Sequence, residues 1–138
     1  MRREKDSLGH MTVPEDAYYG IQAMRASKNF PISGFKLPFS MDTALAQIKK
    51  AAAETNKHYG RIPEDVSNAI IQACEEMIEG RFMDQVIVDV FQMGAGTSYH
   101  MNCNEILANR AEELLGGTKG QYKKVHPVDH VNLGQRTN

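Results

Sequence analysis

The stretch DTALAQIKKAAAETNKHYGRIPEDVSNAIIQACEEMIEG, residues 42–80, decides the fold class. Leu45, Ile48, Ala52, Thr55 and Tyr59 recur every three to four residues, which predicts a helix over 42–59 with an apolar stripe. Asp42 suits its N-cap and Gly60 its end. Val66, Ala69, Ile70, Ala73, Cys74, Met77 and Ile78 predict a second helix over 63–79. Pro63 suits a first helical position, and Glu64 and Asp65 suit the positive end of the helix dipole. Only Arg61 and Ile62 separate the two patterns, so the helices should be antiparallel neighbours. The reading is therefore mainly α.

Upstream, residues 1–14 contain Gly9, His10 and Pro14 and read as an irregular arm. Residues 15–30 could begin as a helix, since Tyr19, Ala23 and Ala26 fall at helical spacing; Pro31, Gly34 and Pro38 then impose a loop. Downstream, Val86 to Phe91 reads as one short extended run leading into the turn Gly94-Ala95-Gly96. Thr97 or Ser98 can cap a third helix reaching about Leu115, stopped by Gly116-Gly117. Residues 119–138 form a polar tail with little periodicity. A domain ending on such a loop is expected to be cut from something larger.

Composition narrows the class only by exclusion. The 138 residues suit one domain, and a net charge of −1 offers no electrostatic case for nucleic acid or an anionic membrane. No apolar run approaches the roughly 20 residues of a membrane span. No apolar signal core follows the charged start Met1–Asp6, and the simplest expectation is cytoplasmic. Cys74 and Cys103 are too few and too far apart in sequence for a disulfide framework or a zinc site.

The chemistry concentrates in QMGAGTSYHMNCNE, residues 92–105. Glycines let the backbone approach a ligand, and hydroxyls at Thr97 and Ser98 stand where a helix offers unpaired N–H groups and partial positive charge. That combination suits a carboxylate. It equally describes a purely structural turn and cap. No Gly-Lys-Ser/Thr follows, so it is not a Walker A loop. Asn104 falls on the stripe of Met101, Ala108, Ala111 and Leu115, and a buried amide there needs hydrogen-bond partners.

Several ordered blocks resemble the aspartase/fumarase superfamily. They are Glu4–Gly9, Val13–Gly20, Gly94–Ser98, then Met101-Asn102, Asn104-Glu105 and Ala108-Asn109, and finally His126–Asn138. Asp89-Val90-Phe91-Gln92 is closer to the aspartases than to the fumarases. The resemblance implies that residues 1–138 are an N-terminal helical domain with a small β element, lacking the family's central bundle and C-terminal domain. It implies elimination of ammonia from aspartate to give fumarate, with no cofactor and no metal. A base would remove a proton beside a carboxylate, and the carbanion would be stabilised as an aci-carboxylate.

By the same resemblance Thr97, Ser98, Arg136, Thr137 and Asn138 bind the dicarboxylate, and His126 and Asp129 form an accessory anion site. His10 and His58 read as solvated and His130 as a packed structural residue. The family's base lies on a Gly-Ser-Ser loop, which does not occur here, so no catalytic base is assigned and the fragment alone is expected to be inactive. Full-length members form homotetramers through the central bundle, which implies nothing for this segment. Malate as substrate, or a non-catalytic paralogue that binds a dicarboxylate or a partner, are the other readings. Four residues depart from the pattern: Met93 for glycine, His100 for asparagine, Val128 for asparagine and Arg136 for serine. Arg136 could clamp a carboxylate or fill the pocket.

Overall fold

A computed structural model describes residues 1–135. The N-terminal arm is a hairpin, not an irregular segment. β1 (Arg2–Asp6) pairs antiparallel with β2 (Gly9–Val13), Arg2 opposite Val13 and Asp6 opposite Gly9. Hydrophobic alternation could not reveal β1 because its inward positions are charged: Arg2 and Glu4 are 9% and 3% exposed. They satisfy one another, Arg2 Nε donating to Glu4 at 2.7 Å. The Arg2 guanidinium also donates to the carbonyls of Pro14, Glu15, Ala17 and Tyr19, fixing the chain that leads to the first helix.

α1 (Ile21–Asn29) begins after Gly20, later than its spacing suggested. Its first N–H groups are capped from a distance. Glu4 accepts from Ile21 N at 2.9 Å, and Glu105 accepts from Gln22 N at 3.1 Å and Ala23 N at 2.8 Å. These acceptors sit so close that a Cβ on Gly20 would overlap Glu105 and the Tyr122 hydroxyl.

α2 (Phe39–His58) and α3 (Glu64–Ile78) form the expected antiparallel pair. α3 buries Val66, Ala69, Ile70, Ala73, Cys74 and Met77, as its stripe predicts. α2 does not follow its apolar stripe. Asp42, Ala46, Lys49, Ala53 and Asn56 face the core, while Ile48 is 59% and Tyr59 72% exposed. Successive residues turn about 100° around a helix, so the buried face is adjacent to the one with the larger apolar side chains. Its polar members each have a partner. Asp42 accepts from Tyr99, Lys49 donates to Asn132 and Gln135, and Asn56 donates to the Leu133 carbonyl. Asp42 is thus a core anchor within the first turn, and Pro38 occupies the N-cap position.

α4 (Thr97–Leu114) packs against α1, α2 and α3 and is the centre of the molecule. Cys103, Ile106, Leu107, Ala108 and Ala111 are fully buried on it. The run 86–91 is extended but is not a strand. Side chains replace a ladder there: Asn102 accepts from Ile87 N at 2.8 Å and donates to the Gln85 carbonyl, and Asp89 gathers Ser33, Gly34 and Phe91 N–H groups. β1–β2 is the only sheet among the described residues.

The polar tail is ordered by Glu112, which accepts from Lys124 N at 2.9 Å and Val125 N at 2.8 Å. Val125 enters the core before a π-helical turn, Pro127–Val131, and Val131 enters it as the last residue of that turn. No described helix is long and apolar enough to cross a membrane.

Candidate functional site

The start of α4 forms differently from the expected Thr/Ser cap. Gly96, at φ 75°, is itself the N-cap residue, and no side chain at that position caps the helix. Gln92 reaches over from the preceding loop and accepts from Tyr99 N at 2.7 Å. Thr97 and Ser98 therefore fall inside the first turn, where the peptide dipoles leave positive character. They line a cleft of about 200 Å³ together with Gln22, Arg25, Met93 and Met101. Arg25 is tied to Asp6 by two bonds of 2.6 and 2.8 Å, and that guanidinium holds the Asp6 carboxyl below its ordinary range. Met93, which departs from the resembled pattern, is 51% exposed on the cleft wall.

A second cleft of about 210 Å³ shares Gln22 and Met101 with the first and reaches His126, Pro127 and Val128. The His126 ring opens the π-helical turn, its Nδ1 accepting from Val128 N at 3.1 Å and Asp129 N at 3.2 Å. An imidazole used this way carries its proton on Nε2, which is left to donate to an anion. Asp129 Oδ2 lies 3.5 Å from His126 Nδ1, but its side chain is 75% exposed and turned to solvent. The structure thus brings His126 and Asp129 together and places Val128, 46% exposed, beside them. His130 is the packed histidine expected, its Nδ1 accepting from His126 N at 2.8 Å. His10 and His58 are exposed.

On the far side of α4 a third groove, about 340 Å³, is lined by Met41, Leu45, Ile48, Tyr99, His100 and Gln135. Burial and the nearby Lys49 charge push the His100 imidazole down to about 4, so it is neutral near pH 7. Burial likewise pushes the Lys49 ammonium down to about 8. Arg136, Thr137 and Asn138, which complete the sequence-predicted set, lie outside the described residues.

Pattern reading missed the residues that hold this arrangement. Asp42, Lys49, Glu105 and Glu112 act across 12 or more positions of sequence, and Gln92 across a glycine turn, so local periodicity carries no trace of their partners. The buried amides were the one available signal. Asn102 and Asn109 form networks as such residues should, Asn109 bonding the Tyr18 carbonyl at 2.7 Å and Gly120 N at 2.7 Å. Asn104 does not: its Nδ2 meets only the Met101 sulfur at 3.6 Å, and its buried Oδ1 has no protein partner. Among the described residues no three His, Cys, Asp or Glu side chains converge as a metal site requires.

Comparison with known proteins adds a family profile described as Lyase, matched over residues 9–138. The aspartate ammonia-lyase of Bacillus subtilis (strain 168) is 51% identical over 137 residues, covering 99% of this chain and 29% of that enzyme. The class II fumarate hydratase of Halobacterium salinarum is 52% identical over 137 residues, with 99% and 29% covered. Among solved structures, the fumarate lyase:delta crystallin of Brucella melitensis superposes with a TM-score of 0.96 at 50% identity, over 99% of this chain and 31% of that one. The chain thus spans under a third of the length of the relatives it matches.

Proposed function

Because the chain belongs to the lyase family matched over residues 9–138, of the aspartase/fumarase type, we propose that it is the N-terminal part of an enzyme eliminating ammonia from aspartate to give fumarate. The observation that carries this reading is the start of α4. Thr97 and Ser98 stand at the positive end of an 18-residue helix, facing a cleft of about 200 Å³, the size for a small dicarboxylate. Elimination beside a carboxylate places negative charge on that group as the proton leaves. Donors already aimed at it stabilise the charge without reorganising.

In this reading Thr97 and Ser98 bind the substrate carboxylate together with Thr137 and Asn138, and Arg136 adds a fixed cation. His126 Nε2 and Asp129 form an accessory anion site at the entrance. The base lies outside these 138 residues, which contain no Gly-Ser-Ser sequence. The full-length protein would assemble as a homotetramer through its central helices. Fumarase activity is the second reading, favoured by the 52% identity to a class II fumarate hydratase. Aspartate and malate share the dicarboxylate frame and differ in the leaving group, so one assay separates them. The full-length protein is expected to release fumarate from aspartate; release from malate alone would overturn the first choice.

A further inference from the structure

Lys49 is the largest fully buried side chain among the described residues, 0% exposed, and its hydrogen-bond partners among them are neutral. Its ammonium donates to Asn132 Oδ1 at 2.8 Å and to Gln135 Oε1 at 2.9 Å. A buried cation held by neutral carboxamides, with no carboxylate partner among the described residues, is costly, and packing alone would favour an apolar residue. The two carboxamides it holds belong to one turn. Asn132 Nδ2 donates to the Gln135 carbonyl at 3.4 Å, and Gln135 Nε2 donates to the Val131 carbonyl at 2.9 Å. Gln135 lies in the groove beside Tyr99 and His100 and leads directly into Arg136, Thr137 and Asn138. On the same face of α2, Asp42 holds Tyr99 in the first turn of α4. One helix therefore grips both the first turn of α4, which carries Thr97 and Ser98, and the Asn132–Gln135 turn.

We propose that Lys49 is a positioning residue whose ammonium clamps the Asn132–Gln135 turn to the face of α2 that also holds Tyr99 in the first turn of α4. The inference rests on the carboxylate-binding reading for its purpose, but not for the clamp itself. Its surroundings isolate the ammonium as the one group there that titrates near pH 8. Cys74 of α3 is pushed up to about 12 by burial. Cys103 and Tyr99 of α4 are raised by burial as well, and His100 is pushed down to about 4. Asp42, on its own helix, is raised from 3.8 by burial and is bonded to Tyr99.

The test compares the 138-residue chain with its Lys49→Met variant by amide hydrogen exchange. The N–H groups of Val131, Leu133 and Gln135, bonded to the carbonyls of His126, His130 and Asn132, are expected to exchange about tenfold faster in the variant. Ile106 and Leu107 should stay within about twofold, with Tm not lowered. Unchanged exchange in the turn, or equal acceleration in α4, overturns the proposal. If the variant does not fold, the unmodified chain decides. The side-chain amide NMR signals of Asn132 and Gln135 should move with a midpoint near pH 8, and flat signals overturn it. Succinate titration separates the two readings. Binding weakened about tenfold by Lys49→Met supports the purpose of the clamp. No binding by the unmodified chain removes the carboxylate role, while exchange still decides the clamp.

Discussion

At the scale of single residues, the molecule places charge where a hydrophobic pattern would place none. Lys49 has a direct consequence for stability. In the unfolded chain its ammonium titrates near 10.5, and in the fold near 8. Between those values the unfolded chain binds more protons, so stability rises with pH across that window. The rise should be about 2 kcal/mol, measurable as a Tm increase in buffers from pH 8 to 10, and Lys49→Met should abolish it. Gly20 is the opposite case, a residue chosen for what it lacks. Gly20→Ala would drive a methyl into Glu105 and Tyr122 and should cost about 1–3 kcal/mol in chemical denaturation. In the proposed reading, Thr97→Val in the full-length protein removes one donor facing the developing charge. It should lower kcat/KM roughly 100-fold with little change in Tm.

At the scale of elements, α3 was legible because its buried face is apolar, and α4 because Ile106, Leu107, Ala108 and Ala111 supply an apolar core beside its buried amides and carboxylates. β1 and α2 were not. β1 turns Arg2 and Glu4 inward, and α2 turns Asp42, Lys49 and Asn56 inward, so a rule that looks for apolar periodicity selects the wrong side or none. In each case the polar residue is inside because a distant group needs it, and distance in sequence hides the reason. The corrected face of α2 can be checked by a pair of substitutions. Ile48→Lys, on the outward stripe, should change stability by no more than about 0.5 kcal/mol. Ala46→Leu, at a position 0% exposed, should lose about 1–3 kcal/mol by overpacking. The start of α4 offers a third substitution at this scale. Gln92→Ala removes the cap on Tyr99 N and should cost about 1 kcal/mol.

At the scale of the whole molecule, the described residues build a cleft at the start of α4, which in the proposed reading is one side of a carboxylate site. The motif 92–105 was readable as a glycine turn leading into a helix start, and the structure places Gly96 and Thr97 there. The cleft was not readable, since Gln22 and Arg25 join it only through the packing of α1 on α4. Nor was the tail's order, which depends on Glu112 and Lys49 rather than on any pattern within residues 119–135. In the proposed reading the 138-residue chain binds without turning over. Mixed with aspartate it should release no fumarate, as followed by ultraviolet absorbance, and any release above a heat-denatured control would place a base within these residues.

The polar face of α2 also bears on inheritance. Asp42 with Tyr99, and Lys49 with Asn132 and Gln135, are bonds between side chains, so a change at one end leaves a buried group stranded at the other. These positions should vary together across descendants of this sequence, or not at all. Asn56 grips only the backbone carbonyl of Leu133. Its partner's identity is free to drift, and position 133 should show no correlated change with position 56.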